Sequence, residues 1–480
     1  MAATVQPVCA KQCRLAWKKI SLQIELQKLV QYFSSLDNPS ILGGAELNSE
    51  RNRYSYFAAE PVEVFEFFAG DSKPFEKLKA VLKKYRIEKI ATNEHEYTRI
   101  DNDIFTGGWV GFFSYDLNTF IENVPPCGAD DVKLPLIRLC FYDKVICFDH
   151  LQNCFYLFAI ELPGDEKNGE EKITQLENIL NKLANIKDEL VFKPCDNFDI
   201  EQFRSSMTKD YYLDAFVKVK RYIYDGEVYQ INFSQRFSAD FNCEPYKLFL
   251  WQNKFNPSPY SAYLDAGDYQ IVSASPELFI NINNGIITTC PIKGTRPRTY
   301  NKAVDEKNYK DLVESEKEKA ELDMIIDLER NDLGRICSYG SIKVVKRRDI
   351  ETFSTVFHAV STIQGRLRKG IDSVDCLKAI FPGGSITGAP KISAMKIISQ
   401  LEPTARGLYT GSIGWFDLRG KVCLNIAIRT IIIKDNVAFA QTGGGIVADS
   451  DPQAEWNETL IKAKALLAGI KAVNEPQRKK

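Results

Sequence analysis

Glu277 and Lys293 are residues whose types could run acid–base and nucleophilic chemistry together. They stand in Ser275-Pro276-Glu277-Leu278-Phe279-Ile280 and Cys290-Pro291-Ile292-Lys293-Gly294-Thr295-Arg296-Pro297-Arg298. An amine stripped of its proton attacks carbon, and a carboxyl group kept protonated donates to a leaving group. Asn284-Gly285 lies between the two stretches, flanked by apolar runs. A type I′ turn needs positive φ at both central residues, so this dipeptide predicts a tight hairpin that returns Lys293 toward Glu277. A strict two-residue loop would pair Glu277 with Ile292, one position short, so a shared face requires a register shift, from a bulge or from the break at Pro291. Charge alone leaves open that both residues merely solvate hairpin ends. The prolines and glycine around Lys293 fix the loop beside its scaffold, where function concentrates, and favour the chemical reading.

Four carboxylates recur in pairs. Ser315 to Gly334 reads as a helix with the apolar stripe Ala320, Met324, Ile325 and Leu328, ended by Gly334, and it sets Glu318 and Glu321 side by side at i, i+3. Asp451-Pro452 opens a second helix with a cap and a proline in first position, and Glu455 and Glu458 repeat the spacing. Such oxygens suit a hard divalent cation. Magnesium takes one or two carboxylates directly and keeps its waters, so the outer member of each pair can act through water. Either pair alone reads equally as solvated helix charge. Arg429 interrupts the apolar run Ile426-Ala427-Ile428-Arg429-Thr430-Ile431-Ile432. A buried guanidinium needs an anion, either a substrate carboxylate or one of the chain's own acids. His358 sits among apolar neighbours, the ordinary setting of a core histidine. Phe381-Pro382-Gly383-Gly384-Ser385-Ile386-Thr387-Gly388-Ala389-Pro390-Lys391 lacks the spacing of a nucleotide phosphate loop. Pro390 predicts the start of a helix whose first amides face an anion or simply pack.

The elements that must hold these residues are mixed. β-rich runs at Tyr54–Ala58, Val62–Phe68, Phe141–Phe148 and Cys154–Ile160 predict antiparallel sheet in the first part of the chain. Gly107 to Asp116 reads as a strand with close-packed glycines. A charged stretch from Pro163 to Lys172 precedes an amphipathic helix, Ile173 to Ile186. A domain boundary is expected around Lys193-Pro194-Cys195-Asp196, dividing residues 1–195 from 196–474. A helix through Tyr212, Phe216, Val219 and Ile223 then stops at Asp225-Gly226 and feeds the strand Val228–Phe237. Tyr409–Phe416 and Val422–Ile433 read as strands around the Asp417-Leu418-Arg419-Gly420 turn, with another strand after Asp435-Asn436. Antiparallel connections dominate, so the fold class is α+β, with large antiparallel sheets packed with helices.

The chain has 480 residues, 44% of them hydrophobic, enough for a large core. A formal net charge of −1 gives no electrostatic case for nucleic acid or an anionic membrane. No apolar run reaches the roughly 18 residues of a membrane span, and no signal-peptide pattern occurs, so the expected location is the cytoplasm. Twelve cysteines without a Cys-x-x-Cys pair, beside only His95, His150 and His358, read as reduced, mostly buried thiols.

The Ser-Pro-Glu and Pro-Ile-Lys-Gly-Thr-Arg-Pro-Arg motifs resemble those of chorismate-using enzymes, and the likeness runs from about residue 100 to 470. Lys293, third in Pro-Ile-Lys-Gly-Thr, is similar to the aminodeoxychorismate synthase component I branch; anthranilate synthase component I normally has alanine there. The resemblance implies that Lys293 attacks the ring of chorismate to form a covalent adduct, that Glu277 is general acid and then base, and that His358 holds the departing hydroxyl. It implies a magnesium ion at Glu318, Glu321, Glu455 and Glu458, bridging a chorismate carboxylate. Substrate contacts are implied for Arg429, Thr295, Tyr409 and the tripeptide Gly443-Gly444-Gly445. A tryptophan pocket is loosely implied at Ile41-Leu42-Gly43-Gly44-Ala45-Glu46, through Leu42 and Gly43. The product implied is 4-amino-4-deoxychorismate, for p-aminobenzoate and folate, with ammonia from a separate glutamine amidotransferase subunit. No cysteine here has the Gly-x-Cys-x-Gly setting of the family's glutaminase, His95 and His150 precede any sensible glutaminase domain, and the chain ends soon after the Glu458 helix.

Overall fold

Hairpins and long strands build two large sheets in the computed structural model, which describes residues 10–44, 51, 53–90, 100–101, 103–186, 190–195, 198–299, 301–353 and 356–474. Ala45, Glu46, His95 and Asp196, named above, lie outside the described residues. One sheet has thirteen strands and the other ten. Neighbours run antiparallel except Lys11–Ile20 beside Tyr85–Ile90. Both sheets take strands from before and after residue 195.

The largest apolar cluster joins side chains of both sheets, with Phe112, Ile280 and Leu424 from the ten-stranded one and Ala262, Ile271 and Ile432 from the thirteen-stranded one. Each such side chain contributes about 1.5–3 kcal/mol on full burial, so the sheets are held face to face by their inner surfaces. A second cluster fills the opposite face of the thirteen-stranded sheet under the helices Leu26–Phe33, Gly169–Ala184, Pro245–Phe255 and Pro452–Asn474. The α+β class and the antiparallel sheets expected from the sequence are therefore present. Close-packed strand glycines are present too: a Cβ on Gly111 would lie 1.9 Å from the Arg138 carbonyl oxygen.

Several boundaries and one helix stop differ from expectation. Phe141–Phe148 is two strands, Ile137–Tyr142 and Lys144–Asp149, because the chain passes from the ten-stranded to the thirteen-stranded sheet at Asp143. Val422–Ile433 likewise divides into Val422–Asn425 in the ten-stranded sheet and Thr430–Lys434 in the other, joined by residues 426–429. A run made mostly of β-forming residues hides such a crossing, since both sheets want the same side chains. The helix expected from Ile173 begins at Gly169, where Asn168 and Glu171 form a reciprocal capping box. The helix Glu316–Gly334 ends in a right-handed turn at Arg335, without the left-handed glycine stop expected of Gly334.

Candidate active site

The hairpin forms as its turn residues predict: Leu278–Asn283 pairs with Ile286–Cys290, and Asn284 and Gly285 have φ of +50° and +74°. The expected register shift occurs, between Leu278 and Asn281. Pro291 is not its source. Ile286–Cys290 and Ile292 stay in step along the strand Val356–Arg366, and the next shift falls between Ile292 and Thr295, where Gly294 has φ +90°. A left-handed glycine within a strand marks a bulge, and here the bulge sets the direction of Lys293.

Lys293 Nζ donates to the Ser385 carbonyl oxygen at 3.4 Å, and Ser385 Oγ donates to Glu277 Oε1 at 2.6 Å. One residue of the turn Gly384–Ile386 therefore touches both groups. The Ile292 backbone N–H also donates to the Glu277 carboxylate, and the Glu277 carbonyl accepts from Ile426 N–H at 3.0 Å. Glu277 is 4% exposed. Burial pushes its carboxyl up, against the pull of Ser385 and Lys293. Burial pushes the Lys293 amine down, opposed by Glu321 and reinforced by Lys462. Both shifts favour the uncharged forms, an amine and a carboxylic acid, the pair that nucleophilic attack with proton donation requires.

His358 lies opposite Thr295 on the neighbouring strand, and its Nδ1 shares a 2.8 Å hydrogen bond with Thr295 Oγ1. Burial, with the nearby Arg429 charge, pushes the ring down to about 3. The imidazole is therefore neutral near pH 7, able to hydrogen-bond but carrying no charge. Arg429 occupies the crossing segment 426–429 with φ +50°, not a strand position as the sequence suggested. Burial lowers its pKa, and among the described residues no carboxylate pairs with it. Of the two anions left open by the sequence, none of the chain's described acids is the partner.

Glu318 of the first acidic pair lies against the bulge at Gly294, and the second pair lies against Gly444 in the strand Val437–Ile446. A Cβ on Gly294 would lie 2.7 Å from Glu318 Oε2; one on Gly444 would lie 3.1 Å from Glu455 Oε2 and 3.5 Å from Glu458 Oε1. Glu318 binds Arg296 at 2.7 Å through Oε1, Glu455 accepts from Ser450 at 2.6 Å through Oε1, and the Oε2 of each is buried without a partner. Lys317 approaches Glu321 at 3.9 Å, and Lys462 pairs with Glu458 at 2.6 Å. Burial pushes Glu321 and Glu455 up; at Glu458 it is outweighed by Lys462. The described residues form no ready cage of three or more ligands. Two orphaned carboxylate oxygens, one from each helix, nonetheless fit a hydrated divalent cation, which takes one or two carboxylates and keeps water.

Gly443 and Gly445 are small for packing: Cβ atoms there would lie 2.6 Å from the Phe233 carbonyl oxygen and 2.3 Å from Gln230 Nε2. Tyr409 is buried against the Arg406 guanidinium, 5.6 Å from its ring centroid, and lines a cavity of about 150 Å³ with Asp116 and Thr430. The hydrogen bond from Thr410 N–H to the Ala427 carbonyl ties that segment to the crossing. Leu42 and Gly43 line a larger cavity between the sheets, about 980 Å³, with Arg51, His150, Tyr260 and Cys290. Sequence reasoning gave no role to Ser385, Lys462 or the buried Arg406–Glu402 pair. The i, i+4 spacing of Glu402 and Arg406 was a signal for the last; nothing marks which hydroxyl of a small-residue loop meets a carboxylate.

A sequence profile of the family described as chorismate binding enzyme matches residues 45–468. The chain is 37% identical over 477 residues to aminodeoxychorismate synthase component 1 of Bacillus subtilis, covering 97% of this chain and 98% of that one. It is 38% identical over 385 residues to anthranilate synthase component 1 of Pseudomonas putida, covering 78% and 77%. Among solved structures, anthranilate synthase component I from Streptococcus pneumoniae superposes with a TM-score of 0.72 at 33% identity, over 88% of this chain and 93% of that one. The isochorismate synthase MenF of Escherichia coli shares the fold, with a TM-score of 0.70 at 17% identity over 97% and 96%.

Proposed function

The chain belongs to the family of chorismate binding enzymes, and on that premise we propose that it replaces the ring hydroxyl of chorismate with ammonia to give 4-amino-4-deoxychorismate. The observation that carries this reading is the pair of buried Glu277 and half-buried Lys293, bridged by Ser385 and biased by desolvation toward acid and free amine. Lys293 Nζ forms a bond to the ring as the carbon–hydroxyl bond breaks, and Glu277 gives its proton so that water leaves. Neutral His358, steered by Thr295, hydrogen-bonds the departing oxygen. Ammonia then bonds at the carbon that lost the hydroxyl, Lys293 leaves as the amine, and Glu277 takes the proton that ammonia sheds. Arg429, which no described acid of the chain pairs with, suits one substrate carboxylate.

Glu318, Glu321, Glu455 and Glu458 would hold magnesium, the outer members through water. Bound there, the ion supplies positive charge for the other carboxylate of chorismate. Ammonia comes from a partner of the glutamine amidotransferase type. In this chain the thiols of Cys127, Cys290, Cys376 and Cys423 are pushed up by burial, opposite to what a glutaminase nucleophile requires. Tryptophan is the proposed occupant of the cavity at Leu42 and Gly43; no change in melting temperature or rate on adding tryptophan would remove that assignment.

A second reading, anthranilate formation, is favoured by the comparable identity to anthranilate synthases. Lys293 within Pro-Ile-Lys-Gly-Thr separates the two. The deciding experiment supplies chorismate, magnesium and ammonium to the purified chain: 4-amino-4-deoxychorismate without pyruvate is expected, and anthranilate with pyruvate overturns the reading. Glutamine should replace ammonium only when the partner is added.

A further inference from the structure

Beneath the Gly384–Ile386 turn lies a second buried acidic group that the chemistry above does not use. Glu329, on the helix Glu316–Gly334, is 4% exposed, and its Oε1 accepts the Gly384 N–H at 3.2 Å. The fit is tight: a Cβ on Gly384 would lie 3.0 Å from that same oxygen. One helical turn on, Asp332 pairs with Lys391, whose Nζ also donates to the Ile380 and Pro382 carbonyls at 2.8 Å each. The loop that carries Ser385 is thus gripped along the stretch that leads into it, Ile380 to Gly384, by Glu329 of one helix and by Lys391. Ser385 in turn gives its hydroxyl to Glu277 and its carbonyl to Lys293.

We infer that Glu329 is a positioning residue for the acid–amine pair, holding Gly384 so that Ser385 meets Glu277 and Lys293 at once, and placing a second carboxylate where it opposes ionisation of Glu277. The inference rests on the proposed acid role of Glu277. The charged groups around Glu329 are Asp332, Lys391 and Glu277; those around Glu277 are Lys293 and Lys462, with the Ser385 hydroxyl and Ile292 N–H. Asp332 faces Lys391, Arg335 and Glu122. Burial, then Asp332, raises Glu329 to about 7, so its charge changes across the working range. An ionised Glu329 makes Glu277 hold its proton to higher pH; with that charge gone, Glu277 ionises earlier and the supply of acid fails at lower pH.

The test compares Glu329→Gln, which keeps an acceptor for Gly384 without the charge, with Glu329→Leu, which removes both, under ammonium-dependent turnover. Glu329→Leu should lose kcat by roughly 10–100-fold, the usual result of displacing a reacting group by about 1 Å, with KM for chorismate within about twofold. Glu329→Gln should keep kcat within about threefold at its optimum and move the alkaline limb of the kcat profile down by roughly half a unit. If Glu329→Leu does not fold, the limb in Glu329→Gln decides. An unmoved limb in Glu329→Gln overturns the inference. Glu277→Gln, assayed in parallel, separates the two failures: if it turns over normally, the acid role itself falls; if it is inactive while the Glu329→Gln limb stays put, only the role of Glu329 falls.

Discussion

Gly294 and Glu318 meet so closely that a Cβ on the glycine would lie 2.7 Å from Glu318 Oε2. The bulge that aims Lys293 therefore also seats a carboxylate of the first acidic pair. Gly294→Ala should disturb both, because φ +90° is strained for any side chain and the new methyl displaces the carboxylate. The expected cost is about 1–3 kcal/mol of stability together with weaker magnesium activation, read by denaturant unfolding and by magnesium titration of turnover. A variant with wild-type magnesium response would show that the contact does not matter to the ion.

Lys293→Ala should reduce turnover on the order of 10³-fold while chorismate still binds, since a covalent step is lost and the pocket remains. Binding is read by calorimetry or by protection against thermal unfolding. Normal rates without added amine would end the nucleophile role.

Glu321→Ala and Glu458→Ala should each raise the magnesium concentration needed for half-maximal rate at least roughly tenfold. Glu316→Ala should not. Glu316 lies outside the paired positions, its side chain 84% exposed and held by Lys319. Equal responses in all three variants would refute the assignment of the pairs.

His358 is buried as the neutral ring, its pKa pushed down to about 3. A base whose folded pKa lies below its unfolded value, about 6.5, gives a contribution that is whole above 6.5 and is lost as pH falls toward 3. The stability difference between wild type and His358→Asn should therefore shrink by about 3 kcal/mol between pH 6.5 and 4, at roughly 1.4 kcal/mol per unit. Unfolding by urea at several pH values measures it. A difference that does not vary with pH would contradict a ring held neutral by burial.

The sequence was legible where chemistry and turn geometry are local. Asn284-Gly285, the cap at Asp451 and the i, i+3 glutamates are each set by a few neighbouring residues. It was least legible where the chain changes sheet. Ile426 to Ile432 is apolar except for Arg429 and Thr430, and nothing in its alternation says that two sheets share it. Arg429 consequently looked like a strand residue awaiting a partner, whereas it sits in a turn of the crossing. Ser385 was hidden differently: its two contacts reach residues about a hundred positions away, and only the fold brings them together.

The crossing at residues 426–429 has a mechanical meaning. Arg429 is anchored to the thirteen-stranded slab, where its carbonyl accepts from Ala274 N–H at 2.9 Å, while Lys293 and His358 ride on the ten-stranded slab. The 980 Å³ cavity has Leu42 and Ala262 on one slab and Leu278 and Cys290 on the other, so it lies between the slab to which Arg429 is tied and the slab that carries Lys293.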